Sequence, residues 1–329
     1  MGILIALFPV LLFLLFLLLL DSYKLVRGNI LILCVLWGAV SAGLAYLFNT
    51  FVLQQTHLDD RYLLRYVFPV IEEILKSLFV LILIYRKKTG FMIDAAIYGF
   101  AIGTGFALIE NIFYLRTYGD SGMLTWLLRG LGTAIMHGGC TAVFAVIVIG
   151  GKSRGDIRLN IYLPAYLSIF FIHSAFNHFL VNPLFQTIGI LIILPFFFIL
   201  IFNYNEKQLR NWLELEFSSE IDLLSSMKEG RFSGTKSGEY LQSIRNKFQP
   251  ETVVDMYCYL RTYLELSIKA KRNLMLRETG FPVIMEADVS DKLQELKTLK
   301  KNIGKVGELA LSPLIRINYR DIWKLNTLN

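Results

Sequence analysis

Four apolar stretches of membrane length carry ionisable side chains in their interiors: Glu72, Glu73 and Lys76 in one, then Glu110, His137 and His173 in three others. A charged group at the centre of a bilayer costs roughly 2.5–3.5 kcal/mol on insertion scales, so such groups face a polar interior and serve a purpose there. Each has a companion four residues away: Glu72 and Lys76, Phe106 and Glu110, His137 and Thr141, His173 and Asn177. On a helix that spacing places both side chains on one face. Three carboxylates and two imidazoles can activate a water molecule, one carboxylate taking the proton while the other groups bind and polarise. The pattern predicts an intramembrane hydrolase.

The elements that position these groups are transmembrane helices. The chain of 329 residues is 55% hydrophobic, with a mean hydropathy of +0.52, too apolar for an ordinary soluble domain. Seven stretches reach the length needed to span, near 3–20, 29–53, 66–86, 91–115, 123–150, 159–181 and 184–204. The expected fold is therefore all-α: a polytopic membrane bundle over residues 1–204, followed by a small cytoplasmic helical domain over 205–329. The first stretch lacks a basic n-region and has Asp21-Ser22-Tyr23 where a cleavage site would need small residues, so it reads as a retained helix. In the tail, helical periodicity is expected over 206–227, 250–278 and about 287–301, with a loop at 230–238.

Basic residues alternate between loops. Lys24 and Arg27, then Arg86, Lys87 and Lys88, then Lys152, Arg154 and Arg158 mark one side. The other side has Arg61 and Arg65 offset by Asp59 and Asp60, and Arg116 offset by Asp120. The positive-inside rule then puts the N-terminus outside and the tail in the cytoplasm, as in a multi-pass protein of the cell (inner) membrane. With that orientation Glu72, Glu73, Glu110, His137 and His173 share a layer roughly 8–12 Å below the outer surface, at 1.5 Å per residue. Arg129 is expected to snorkel to that interface. The net charge of +7 is explained by topology and attraction to anionic lipid, with no nucleic acid as partner. Cys34, Cys140 and Cys258 form neither a disulfide framework nor a CxxC metal site.

Glu72 and Glu73 lie about 100° apart on a helix, so the pair is not expected to point at one spot. One is expected to be ionised against Lys76, the other free to act as a base. His173 with Asn177 suits polarisation of a carbonyl or stabilisation of an oxyanion. His178 and His57 read as structural and loop residues, and Asp94 as the acidic residue at a helix N-terminus.

Glu72-Glu73-Ile74-Leu75-Lys76 is an EExxK motif, and Phe106 to Asn111 is FxxxEN. With His137-xxx-Thr141 and His173-xxx-Asn177 in that order, residues 60–180 resemble the PrsW family of intramembrane proteases, distant relatives of the CAAX-processing and bacteriocin-immunity membrane proteases. The resemblance implies a peptidase that cuts a membrane-anchored protein, typically an anti-sigma factor, to release a stress response. It implies catalytic roles for Glu72, Glu73, Lys76, Glu110, Asn111, His137, His173 and Asn177. The family is labelled metallo, while related enzymes are described as glutamate-activated. HExxH is absent, but Glu110, His137 and His173 would make a three-ligand zinc site with one position open. A proton- or ion-coupled transporter is the alternative reading, although no internal repeat supports it. A retinal receptor is excluded because 184–204 has no lysine, and the intact motif set argues against a noncatalytic scaffold.

The topology carries its own test. Reporter fusions after Lys88 and after Asn329 should both give a cytoplasmic signal, and an external signal from either would overturn it.

Overall fold

The computed structural model describes residues 2–118, 122–153, 159–283 and 286–315, with Leu325 and Leu328. Asp120, Arg154 and Arg158, which entered the orientation argument, lie outside these. Among the described residues every regular element is helical. The chain divides into two units, Met1–Asn205 and Glu206–Asn329.

The first unit begins with α1 (Gly2–Leu19) and α2 (Gly28–Gln55), then α3 (Phe68–Tyr85), α4 (Met92–Thr117), α5 (Ala134–Ser153) and α6 (Leu159–Asn177). Helix α7, Pro183–Lys228, starts in this unit. It is continuous across the change of composition near residue 205, where separate helices were expected. Tyr204-Asn205-Glu206 contains no glycine or proline to stop it. Gly28–Gln55, Met92–Thr117, Met123–Lys152 and Pro183–Lys228 are long and apolar enough to cross a membrane.

Helix α3 is inverted relative to a helix of a water-soluble protein. Val70, Ile74, Leu78 and Ile82, spaced four apart, are exposed, whereas Glu73, Lys76 and Ser77 are buried on the opposite face. Such an arrangement is stable only where the surroundings are apolar. The centre of the unit is α4, buried without a break from Ile93 to Ala107. Two glycines bring its neighbours into backbone contact. A Cβ on Gly103 would run into the carbonyl oxygen of His137 on α5, and one on Gly105 would strike that of Val35 on α2. Small residues at helix crossings in membranes serve this purpose. At the start of α4, Asp94 accepts hydrogen bonds from Gly90 N (2.8 Å) and Phe91 N (2.9 Å), the capping role expected of it.

Two π-helical turns interrupt the pattern, Leu63–Val67 ahead of α3 and Arg129–Thr133 ahead of α5. The first has an identifiable cause. Pro69 has no N–H to give the carbonyls of Leu64 or Arg65, so the turn widens and those oxygens need other donors. Helix α6 supplies them: Asn177 Nδ2 donates to Leu64 O (3.0 Å) and Ser174 Oγ to Arg65 O (2.7 Å). His178 packs edge-on against Tyr66 and bonds its hydroxyl at 3.0 Å, a structural part as expected.

In the second unit, α8 (Lys236–Ile244), α9 (Pro250–Glu278) and α10 (Val289–Leu311) enclose a core that includes Met256, Leu260, Leu264, Leu296 and Ile303. Helix α8 begins inside the stretch expected to be a loop, because Thr235 caps it by accepting from Gly238 N. Helix α10 runs ten residues past its expected end, with a kink at Gly304, whose φ is +63°. Lys271 is fully buried between Glu216 and Glu220, at 3.1 Å from each. Hydrogen bonds from Lys269 and then Lys292 hold the Asp288 carboxyl below the usual carboxylate range. All three cysteines are free.

The Gly103 crossing yields a prediction. Gly103→Leu forces α4 and α5 apart, so it should cost about 1–3 kcal/mol of stability, the range for overpacking. Melting in detergent, followed by circular dichroism, should show the loss. An unchanged melting temperature would show that the close approach is dispensable.

Candidate active site

Glu72, Glu110, His137, His173 and Asn177 line one cavity of about 690 Å³ in the first unit. Its remaining wall is largely apolar and includes the aromatic rings of Tyr46, Phe68, Phe106, Phe113 and Phe176. Helices α3, α4, α5 and α6 thus bring the expected residues together. Helix α2 contributes as well, through Asn49 and Thr50, which the motif argument did not consider.

Lys76 sits at the hub. It is fully buried, its Nζ lies 2.6 Å from Glu73 Oε1 and 3.1 Å from His137 Nδ1, and it rests over the Phe106 ring at 4.8 Å. The buried ammonium can only donate, so His137 Nδ1 accepts and the ring proton is on Nε2. That nitrogen donates to Glu110 Oε2 at 3.0 Å.

His173 is arranged the other way round. Its Nδ1 donates to Glu73 Oε1 at 2.7 Å, and its Nε2 lies 3.7 Å from Glu72 Oε2. The adjacent glutamates were not expected to serve one spot. They do so because His173 has two nitrogens and each carboxylate meets one of them.

Arg129 does not snorkel to an interface. Its guanidinium lies 3.4 Å from Glu110 Oε1 and stacks on Tyr114 at 3.7 Å, while its Nε donates to Asn111 Oδ1 at 3.1 Å. Glu110 is itself partly buried, and leaving its carboxylate without the arginine would strand an uncompensated charge. Asn111 is itself buried and does not line the cavity; its Nδ2 donates to Ala6 O at 2.9 Å, so it fixes Arg129 instead. The spacing of Arg129, Thr133 and His137, four residues apart, was the signal for this role.

Glu72, His137 and His173 present ligand atoms within 4.8 Å of one another. This group contains Glu72 where Glu110 was expected; Glu110 contacts Arg129 and His137. One carboxylate and two imidazoles are a known donor set for catalytic zinc. Glu73 on the far nitrogen of His173 is the kind of carboxylate partner that orients a metal-binding histidine. Buried Glu73 Oε2 has no hydrogen-bond partner, so the site has unspent capacity for a donor or cation. These residues fit a divalent metal on one condition. His137 must move its proton from Nε2 to Nδ1, and Lys76 then keeps Glu73 alone.

The model of the PrsW family of intramembrane metalloproteases matches residues 27–202, more than half of the chain. The chain belongs to that family. It is a peptidase, and the transporter reading is left without support. The matched region covers α2 through most of the apolar part of α7, so it includes Asn49 and Arg129 as well as the four motifs. No curated protein and no solved structure matches the chain.

Removing the hub has a predicted cost. Lys76→Met leaves the Glu73 carboxylate buried without its cation, and loss of one partner of a buried pair typically costs about 3–5 kcal/mol. Thermal melts of Lys76→Met and of the Lys76→Met/Glu73→Gln double variant should show the double recovering much of that loss. Equal stabilities would mean that the ion pair is not what holds the site.

Proposed function

We propose that this chain cuts a membrane-anchored, anti-sigma-factor-like protein within a seven-helix bundle whose N-terminus is outside and whose tail is cytoplasmic. One observation supports a hydrolytic centre above others: the ligand atoms of Glu72, His137 and His173 converge at the wall of a cavity in a bundle of outward-facing apolar helices. These three residues would hold a divalent metal, for which zinc is the candidate, and such an ion acidifies water and polarises a carbonyl.

Each protein group then has a task. Glu110, steadied on its other oxygen by Arg129, accepts the proton of the attacking water and returns it to the leaving amine. Glu73, held by Lys76, is the positioning carboxylate that fixes the tautomer and the ring plane of His173. The Nδ1 proton of His173 is committed to Glu73, so the oxyanion is served by Asn177. Its Nδ2 has two hydrogens, of which Leu64 O takes one. The apolar wall accepts apolar side chains beside the bond to be cut and keeps water out. The second unit reads as a cytoplasmic helical domain.

The test uses the purified full chain with a candidate membrane-anchored substrate. Glu110→Gln and Glu73→Gln should remain folded and lose cleavage. Asn177→Ala should retain a measurable remainder, slowed roughly 10²–10³-fold as for loss of an oxyanion donor. A chelator should stop the wild type, and zinc should restore it. Full activity in folded Glu72→Gln/Glu73→Gln would overturn the mechanism.

A further inference from the structure

Helices α2 and α4 touch backbone to backbone at one level. A Cβ on Gly38 would strike the carbonyl oxygen of Ile102, and one on Gly105 that of Val35. Eight residues further along each helix, about 12 Å at 1.5 Å per residue, the contact changes in kind. There Tyr46 of α2 meets Phe113 of α4, with ring centroids 5.0 Å apart and planes tilted by 53°. Two large side chains now span what glycines close at the crossing, so the helices stand further apart toward their C-terminal ends.

This ring pair marks the border of the cavity. Tyr46 and Phe113 both line it, yet they are 52% and 42% exposed. Leu47, Phe48 and Ile112, their neighbours in sequence, are exposed as well and do not line it. The cavity therefore reaches the apolar outer surface at this seam. Other seams around it are tied more firmly. Asn49 bonds Glu72 between α2 and α3, Asn177 and Ser174 clamp α6 to the turn before α3, and Gly103 brings α4 onto α5.

Gly43 adds a second observation. It lies almost one turn before Tyr46 and lines the cavity too. Whereas Gly38, Gly103 and Gly105 are filled by neighbouring backbone, a Cβ on Gly43 would meet none of the described atoms within 4 Å. Bare helix backbone of this kind lets another helix approach closely in a membrane. A membrane-spanning segment that reached the cavity from the end of the bundle would first have to leave lipid for water, which its apolar side chains oppose. Passage between α2 and α4 keeps it in apolar surroundings throughout.

We infer that the C-terminal half of the α2–α4 seam is a lateral entry for substrate: Tyr46 and Phe113 part to admit a membrane-spanning helix from the lipid, and Gly43 receives its backbone. The inference rests on the peptidase reading of the cavity and specifies its substrate class, a helix taken sideways from the bilayer.

A reversible staple tests it. Tyr46→Cys/Phe113→Cys is made in the full chain together with Cys258→Ser, since Cys34 and Cys140 are buried. A short bis-maleimide with a disulfide in its linker joins the two positions, and reductant opens it. The probe is a single-pass peptide with an apolar core of about 20 residues flanked by lysines, reconstituted with the protein in phosphatidylcholine vesicles. Binding is followed by energy transfer and cleavage on gels. Stapling should bring both to background, and reduction should return both to the level of the unstapled variant. Tyr46→Leu/Phe113→Leu, which removes the ring pair and keeps the surface apolar, should quicken association about 2–10-fold, the worth of one aromatic pair.

A stapled protein that still binds the peptide overturns the inference, as does a loss that reduction fails to reverse or an unchanged association rate in the leucine variant. Spin-labelled lipid in the same vesicles reports on the rival occupant: a staple that excludes acyl chains but not peptide would make the seam a lipid site. Peptide that binds only while the seam is open but is never cut would keep the entry and remove the peptidase assignment of the cavity. Cutting that continues in the stapled protein would do the reverse. A wild type that neither binds nor cuts the peptide would overturn both.

Discussion

A single ammonium group, that of Lys76, orders the chemistry of this protein. Buried as it is, it needs acceptors on every side, and it takes Glu73 and His137. The rest follows by donor and acceptor bookkeeping. Glu73, neutralised by Lys76, accepts from His173 and turns that ring's second nitrogen toward Glu72. His137, accepting from Lys76, presents its other nitrogen to Glu110, which in turn holds Arg129. The chain of contacts runs from Asn49 on α2 to Asn111 on α4 and crosses four further segments. In a low-dielectric interior such a network is strong when complete and costly when broken. The network therefore holds these side chains against one another across the helices.

The network can exist only because the helices approach closely at the right level. Gly103 lets α4 touch α5 at the backbone of His137, and seven residues further on, two helical turns, Glu110 meets the ring of that histidine. Pro69 acts differently. By withholding one N–H it opens a π turn, and the carbonyls it leaves are bonded by Ser174 and Asn177 of α6. That clamp sets α6 beside α3 and so brings His173 to Glu73. A helix-breaking residue thus becomes the means of fixing the helices of Glu73 and His173 to each other, which a bilayer tolerates because the freed carbonyls find partners.

The same physics explains the outer surface. The exposed stripe of Val70, Ile74, Leu78 and Ile82 on α3 is the reverse of its charged face, and α6 likewise exposes Leu163, Leu167 and Phe171 while burying His173 and Ser174. Lipid replaces the hydrophobic core as the apolar partner, so polarity concentrates inside. This frees the interior to hold three glutamates, two histidines, a lysine and an arginine around one cavity.

Much of this was legible in the chain alone. Charged residues inside apolar runs announced a membrane bundle with a polar interior, and EExxK, FxxxEN and the two histidine motifs announced the family, because insertion energies and helical spacing are properties of local sequence. The pairing of Lys76 with Glu73 and the capping by Asp94 follow from separations of three or four residues. What spacing could not reveal was anything joined across helices. Arg129 looked like an interfacial anchor because its partner, Glu110, is 19 residues away on another helix. Asn49 belongs to no motif and gains its meaning from Glu72, 23 residues on. The convergence of both adjacent glutamates was ruled out by the geometry of one helix and is achieved by the two nitrogens of a histidine 100 residues downstream. Local sequence determined which groups enter the membrane and which face each occupies; only tertiary packing decided which of them meet.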